Sequence, residues 1–223
     1  MYFSRIHIRP GSFDPEELLP LICGEGYADH ALLWKLFPDD PDAKRDFLYR
    51  REEKEGWPFF YLVSQRKPQD ASGLFLPESK EYRPRVRKGE TMAFSLRVNP
   101  VITRKDDKGK RKRHDVVMNA KKPLKEAKEE FSTPEIVQES GISWLAARAE
   151  KCGFSFDPAQ VRTESYLQHN IKKPGQRKNI RFSTLDFQGL LMVKDEELFI
   201  SALYKGIGPA KSFGCGLLLV KRI

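Results

Sequence analysis

The order of strand and helix patterns along the chain limits the folds it can adopt more than any other feature. Residues 2–9 alternate apolar and polar side chains, which is typical of a strand with one buried face. A helical pattern then extends to about residue 37, and strand patterns follow at 46–52, 59–65 and 91–104. Residues 74–90 are rich in Pro and Arg, so we expect a weak helix or a loop there. The first half therefore follows the order β-α-β-β-(α)-β.

The second half of the chain repeats this order. We expect helical pieces within 125–152, strands at 160–173 and 179–195, a helix at 196–205 that Asp195 caps, and a terminal strand. A further strand is expected near Val116–Met118. The sequence thus predicts an α+β protein with two tandem ferredoxin-like (RRM-like) domains, at residues 1–103 and 104–223.

Charge and cysteine usage narrow the function. The formal net charge is +9, which makes a polyanion the first partner to consider. Cys23, Cys152 and Cys215 are far apart and lack the spacing of a zinc site or a disulfide framework. No apolar run is long enough for a membrane helix, and the first residues do not resemble a signal peptide. We expect no metal, no cofactor, no membrane contact and a cytoplasmic location.

Two basic segments are candidates for nucleic-acid contact. The segment at 172–181 joins two predicted strands and contains no acid. Its five basic residues are Lys172, Lys173, Arg177, Lys178 and Arg181. On a hairpin these side chains would grip phosphates or guanine edges, although turns also collect charge without a function. The tract at 104–113 has seven Lys or Arg among ten residues, and is either a flexible loop or a hairpin tip.

A glycine-rich segment, GIGPAKSFGCG at 206–216, follows a predicted helix and precedes the last strand. This order is the reverse of a phosphate-binding P-loop, so nucleotide hydrolysis is not expected. The segment would instead present backbone N–H groups and Lys211 to an RNA backbone. Its four glycines, Gly206, Gly208, Gly214 and Gly216, are then RNA-binding candidates. The alternative is a tightly packed connection.

The segment GIGPAKSFGCGLL resembles the signature of the CasE-type CRISPR-associated repeat-RNA endoribonucleases, a branch of the RAMP superfamily. Three other stretches agree with that family in the same order along the chain: MYFSRIHI, HALLWKLFPDDPDAKRDFLYR and FSLRVNPVITR. The resemblance implies two ferredoxin-like domains and metal-free cleavage within the repeat of a CRISPR transcript. It also implies two kinds of partner, the CRISPR repeat stem-loop RNA and the other subunits of the Cascade complex.

Histidine suits proton transfer near neutral pH, and the chain has four. His30 lies three residues after Tyr27, which places both side chains on one face of a helix. Without the resemblance, His30 is more simply a surface or core-edge residue. The resemblance implies that Tyr27 and His30 catalyse attack by the 2′-hydroxyl, which leaves 2′,3′-cyclic phosphate and 5′-hydroxyl ends. Lys35, Lys211 or a hairpin residue would supply positive charge at the phosphorus.

Two other functions remain open from the residues alone. A non-catalytic RNA-binding RAMP subunit would use the same basic surfaces, with Tyr27 and His30 as ordinary RNA contacts. A basic ribosome- or assembly-associated protein would bind RNA without preferring a repeat hairpin, and raised salt would weaken that binding.

Overall fold

A computed structural model describes residues 1–9, 11, 26–38, 45–105, 109–171 and 179–223, with only the backbone at 26 and 27. The helices are α1 (Gly26–Trp34), α2 (Val116–Ala127), α3 (Thr133–Ala149) and α4 (Glu196–Lys205). The strands are β1 (Tyr2–Ile8), β2 (Phe47–Lys54), β3 (Trp57–Ser64), β4 (Phe75–Glu81), β5 (Thr91–Val98), β6 (Val101–Lys105), β7 (Arg111–Asp115), β8 (Phe154–Ser155), β9 (Val161–Ile171), β10 (Ile180–Val193) and β11 (Leu218–Arg222). The tandem α+β architecture is confirmed.

The first sheet is antiparallel, with the strand order β2-β3-β1-β4. The alternation in β1 buries Ile6 and Ile8 on one face, where Phe60 and Leu62 of β3 join them. Helix α1 covers this face and contributes Leu33, which is fully buried. The core of the first unit therefore fixes the position of α1 over the sheet.

A weak helix or a loop was expected at 74–90; the structure has strand β4 in the first part of this segment and a loop at 82–90. Among the described strands β4 pairs with β1 alone, and so it forms an edge of the sheet. An edge strand tolerates Pro77, because its missing N–H need not bond to a neighbour. Proline and charged residues are uncommon in strands, so the sequence did not predict this one.

The second sheet has the strand order β11-β5-β10-β8, with β9 also paired to β10. We expected β5 to complete the first domain, and this was wrong. Leu96 of β5 lies opposite Phe187 of β10 and Leu218 of β11, which are all buried. Alternation predicts a buried face, whereas the partner strands are set by contacts distant in sequence. Between residues 82 and 90 the chain passes from the first sheet to the second. The domain boundary at residue 103 stays a prediction.

Helices α3 and α4 bury the face of the second sheet. Trp144 and Phe199 pack in this core, and Trp144 donates a hydrogen bond from Nε1 to the carbonyl of Val101 at 3.0 Å. The strand expected at Val116–Met118 is instead the first turn of α2. The Asp115 side chain accepts a hydrogen bond from the backbone N–H of Met118 at 2.8 Å, as an N-cap does.

The basic tract at 104–113 belongs to a hairpin formed by β6 and β7, of which residues 106–108 lie outside the description. Of the two alternatives for this tract, the hairpin is confirmed. None of the helices in the described ranges is long and apolar enough to cross a membrane.

The two sheets pack against each other through a small apolar cluster that contains Leu48, Val63 and Leu217. Polar contacts add to it. The Arg50 guanidinium donates to the Ser95 hydroxyl at 2.8 Å. These contacts hold β2 of the first unit beside β5 and Leu217 of the second.

Candidate active site

His30 lies near the middle of α1, on the side of the helix that faces β2. Its ring is partly buried against three aromatic side chains. The ring centroids lie 6.1 Å from Trp34, 5.8 Å from Phe47 and 6.4 Å from Tyr49. Trp34 is one helical turn later on the same helix face, and the other two rings come from β2. The imidazole is thus held at a fixed place beside the start of β2.

This environment keeps the imidazole neutral. Burial lowers the pKa of His30 to about 4, and the nearby charge of Arg45 acts in the same direction. The Nε2 atom is buried and has no hydrogen-bond partner among the residues that the structure describes. A neutral imidazole has one ring nitrogen that can accept a proton.

Arg45 is the positive charge that acts on His30, and the sequence analysis did not single it out. It precedes β2 and donates a hydrogen bond from Nη1 to the Ser212 hydroxyl at 2.8 Å. Burial lowers the pKa of Arg45 below its usual value, although the group stays charged at any physiological pH. Arg45 therefore connects the surroundings of His30 to the glycine-rich segment.

The middle of that segment is a single 3₁₀ turn, Lys211–Phe213, and α1 packs against it. The phenol of Tyr49 donates a hydrogen bond to the carbonyl of Ser212 at 2.9 Å. A Cβ on Gly214 would lie 3.3 Å from the Tyr49 ring. Tyr49 thus contacts the turn with both its hydroxyl and its ring, and it also contacts His30. The turn is held at the side of the candidate catalytic residue.

Gly206 and Gly216 are needed where the two ends of the segment cross. Both have positive φ, and a Cβ on Gly206 would lie 2.8 Å from the carbonyl oxygen of Gly216. Their N–H groups donate inside the protein, Gly206 to Ala202 at 2.8 Å and Gly216 to Arg97 at 2.7 Å. These two amides are not available to phosphate, which corrects the expected use of their N–H groups. RNA contact by Gly208 and Gly214 stays a prediction.

Lys211 begins the 3₁₀ turn and is half-buried. Burial lowers the pKa of Lys211, and the positive charge of Arg45 lowers it further. Arg45 thus acts on both Lys211 and His30. A lysine with a lowered pKa gives up its proton more readily, and while charged it still attracts a phosphate.

A groove of about 840 Å³ lies on the other side of the turn. Phe213 of the turn lines it, together with Arg181 and Phe182 of β10 and Arg113 of β7. The Phe182 and Phe213 rings lie 4.6 Å apart, and the His169 ring stacks on Phe182 at 4.7 Å. The turn therefore contacts both α1, which carries His30, and a groove with aromatic rings and cations.

The predicted site residues are only partly within the described ranges. The structure brings His30, Lys211 and the four glycines into one region, and it places Arg181 in the groove. Tyr27 lies in α1, but its side chain is outside the description. Lys172, Lys173, Arg177 and Lys178 are also outside it. In the ranges that can be inspected, His, Cys, Asp and Glu side chains form no group that could hold a metal ion.

Asp29 is a further titratable group beside His30, and it too was missed. Its buried carboxylate accepts a hydrogen bond from the Arg51 guanidinium at 2.9 Å. Burial raises the pKa of Asp29 to about 6, against the opposing effect of Arg51.

Known proteins resemble this chain in sequence and in fold. A family model described as CRISPR associated protein matches residues 1–222. The Cascade subunit CasE of Escherichia coli K12 is 32% identical over 201 residues, which cover 86% of this chain and 89% of that protein. The CRISPR-associated endoribonuclease Cse3 of Thermus thermophilus is 28% identical over 149 residues, 63% of this chain and 60% of that protein.

A solved structure of CRISPR endoribonuclease Cse3 bound to a 19-nucleotide RNA has the same fold. The TM-score is 0.72 at 24% identity, and the match covers 99% of this chain and 100% of that one. The match of the family model over almost the whole chain and the identity to CasE lead to one conclusion. The chain belongs to the CRISPR-associated protein family, as a member of the CasE type.

Proposed function

We propose that this protein is an endoribonuclease that cuts CRISPR precursor transcripts within the repeat and stays on the product as a subunit of Cascade. The observation that carries the proposal is the neutral His30 beside Arg45 and the turn at Lys211–Phe213. The related CasE is named as a Cascade subunit and the related Cse3 as an endoribonuclease, which supports both parts. Because the substrate is a transcript, we place the activity in the cytoplasm.

The chemistry follows from the groups at the site. The neutral imidazole of His30 accepts the proton of a ribose 2′-hydroxyl, and the freed oxygen attacks the adjacent phosphorus. The bond from phosphorus to the 5′-oxygen breaks as the new bond forms. The products are a 2′,3′-cyclic phosphate and a 5′-oxygen that takes up a proton. No metal takes part in this scheme.

Two cations would stabilise the charge that develops on the phosphate. Arg45 and Lys211 lie at the turn, and the guanidinium suits phosphate oxygens because it donates two parallel hydrogen bonds. The Lys211 ammonium would protonate the leaving 5′-oxygen, since its lowered pKa makes it a stronger acid. Tyr27, one turn before His30 on α1, would orient the imidazole.

Recognition of the RNA would use the basic residues near the groove. We assign phosphate contact to Arg181 and to four residues of the preceding loop, Lys172, Lys173, Arg177 and Lys178. A repeat stem would be read largely by its shape and its phosphates, because an A-form helix hides its major groove.

The test uses a labelled repeat RNA and its copy with a 2′-deoxyribose at the nucleotide before the cut. The proposal predicts cutting of the first in the presence of EDTA, with cyclic phosphate ends, and no cutting of the second. Cutting of the deoxy copy, or loss of activity in EDTA, would refute the mechanism. Specific binding without any cutting would favour a non-catalytic RNA-binding subunit. Equal binding of random RNA at raised salt would indicate a general RNA-binding protein.

A further inference from the structure

The hairpin of β6 and β7 has two faces with different surroundings. Cross-strand pairing places Lys105 opposite Arg111 and Thr103 opposite Arg113, so these four side chains share one face. We call this the groove face, because Arg113 lines the groove of about 840 Å³. Arg111 and Arg113 are exposed, and neither takes part in the ion pairs found within the described ranges. The groove face therefore presents cations to whatever the groove contains.

The opposite face of the hairpin carries Arg104 and its cross-strand partner Lys112. Arg104 donates to the amide oxygen of Asn119 at 3.3 Å and lines a smaller cavity of about 350 Å³ beside α3. We call this the helix face. It carries two basic side chains, one on each strand, against three on the groove face, and it points away from the groove. The chain thus contains its own control for the effect of charge alone.

The base of the hairpin is fixed to the sheet. The Asp115 carboxylate accepts hydrogen bonds from the N–H of Met118 at 2.8 Å, from the phenol of Tyr166 at 3.0 Å and from the hydroxyl of Ser183. Tyr166 belongs to β9 and Ser183 to β10, so one carboxylate joins the hairpin to both strands. Asp115 is also the one acidic side chain that lines the groove among the described residues. Both of its carboxylate oxygens are thus used in hydrogen bonds within the protein.

The wall opposite the hairpin contains stacked rings. The His169 and Phe182 rings are 4.7 Å apart and 17° from parallel, and Phe213 continues the stack. The Thr184 hydroxyl lies 2.8 Å from Nε2 of His169, which fixes the orientation of the imidazole. A groove with cations on one side and ring faces on the other matches proteins that bind single strands, in which unpaired bases stack on aromatic rings. Paired bases in a duplex do not expose their faces in this way.

We propose that the groove face of this hairpin is a second RNA-binding arm, which holds the phosphates of a single-stranded segment while its bases stack on the outer ring faces of His169 and Phe213, with Phe182 between these two rings. The proposal rests on the proposed function, because it assigns a part of the same RNA to this groove. The turn at Lys211–Phe213 connects the groove to His30. The single-stranded segment is therefore the one that flanks the repeat stem near the cut.

The experiment measures binding of the full chain to two RNAs. One is a repeat hairpin with single-stranded extensions on both sides, and the other is the same hairpin without them. Both carry a 2′-deoxyribose before the cut. The double variant R111A/R113A tests the groove face, and R104A/K112A removes the same charge from the helix face. Phe182→Leu tests the stack, because it keeps an apolar side chain without a ring.

For R111A/R113A we expect binding of the extended RNA to weaken about 10-fold or more. A plot of the logarithm of the binding constant against the logarithm of salt concentration should become less steep by about 1.4, which is about 0.7 for each of the two lost phosphate contacts. Binding of the trimmed hairpin should change by no more than about twofold. R104A/K112A should bind both RNAs within about twofold of wild type. Phe182→Leu should lose about 5-fold or more on the extended RNA, because removal of the ring between His169 and Phe213 weakens the stacking of about one base.

Equal losses on both RNAs, or equal losses in the two double variants, would overturn the proposal. The readout is binding and not cutting, so the two proposals fail separately. A wild-type protein that never cuts the repeat refutes the proposed function, while a selective loss in R111A/R113A would still support the arm.

Discussion

The low pKa of His30 predicts that cleavage persists in mild acid. The pH dependence of kcat/KM reports the protonation state of the free protein, and the base must be neutral to accept the 2′-hydroxyl proton. With a pKa of about 4, as burial and Arg45 produce, about 97% of His30 is neutral at pH 5.5. An ordinary histidine with a pKa of 6.5 would be only about 9% neutral there. The two cases differ by about tenfold in rate.

Arg45→Gln is the variant that tests the cause of this shift. Glutamine still donates a hydrogen bond to the Ser212 hydroxyl, but it carries no charge. Burial is the larger cause of the lowered pKa of His30 and is unchanged, so the acid limb of kcat/KM should move upward and stay below pH 6.5. The plateau rate should fall by about 100-fold, because the phosphate loses a charged donor in the transition state.

The assay is cleavage of labelled repeat RNA at low substrate concentration, with buffers from about pH 4 to about pH 8. Circular dichroism at each pH confirms that the protein is folded. Lys54→Gln, an exposed residue at the end of β2, removes one charge elsewhere and should leave the limb in place. A wild-type acid limb of kcat/KM near pH 6.5, or an acid limb that does not move in Arg45→Gln, would show that burial and Arg45 do not lower the pKa of His30 in this way.

Three further predictions concern stability. Gly206→Ala should lower the free energy of unfolding by about 1–3 kcal/mol, because its Cβ meets a backbone carbonyl at a position with positive φ. The control is Gly73→Ala, where φ is also positive but the Cβ meets no atom, and thermal unfolding should show a smaller loss of stability for it. Arg97→Met should lower the free energy of unfolding in urea by about 3 kcal/mol, because it leaves the largely buried Asp186 carboxylate without its bidentate partner in the second sheet. The pKa of Asp29 is about 6 in the folded protein, above its ordinary value of 3.8. Asp29 therefore contributes most to the free energy of unfolding below pH 3.8, where it is protonated, and this contribution is lost as the pH rises through about 6. Relative to wild type, the stability of Asp29→Asn should therefore increase from pH 4 to pH 6. The pKa of His30 is lowered and not raised, so the stability of His30→Ala relative to wild type should decrease over the same pH range.

The sequence predicted most elements, and the failures have physical reasons. The alternation in β1 is a local property and was interpreted correctly. Sheet membership is not local, and β5 was assigned to the wrong sheet because any strand with one buried face has the same pattern. The first turn of α2 contains two valines, which favour a strand, but the N-cap at Asp115 decides for a helix.

The candidate site could be predicted from the sequence only where residues are close in the chain. The spacing of Tyr27 and His30 on one helix needs no knowledge of the fold. The contact between Arg45 and Ser212 joins residues 167 positions apart, so no local pattern could reveal it. The glycines were expected to serve a ligand, whereas Gly206 and Gly216 allow two backbone segments to cross, since glycine suits both uses.

The most direct test of the account is to measure cutting and binding of the repeat RNA by His30→Ala beside wild type. The account predicts that the single-turnover rate falls by about 100-fold or more, as expected for the loss of a general base, while the Kd changes by less than about threefold. A variant that still cuts at a rate within about tenfold of wild type would show that this imidazole does not accept the 2′-hydroxyl proton.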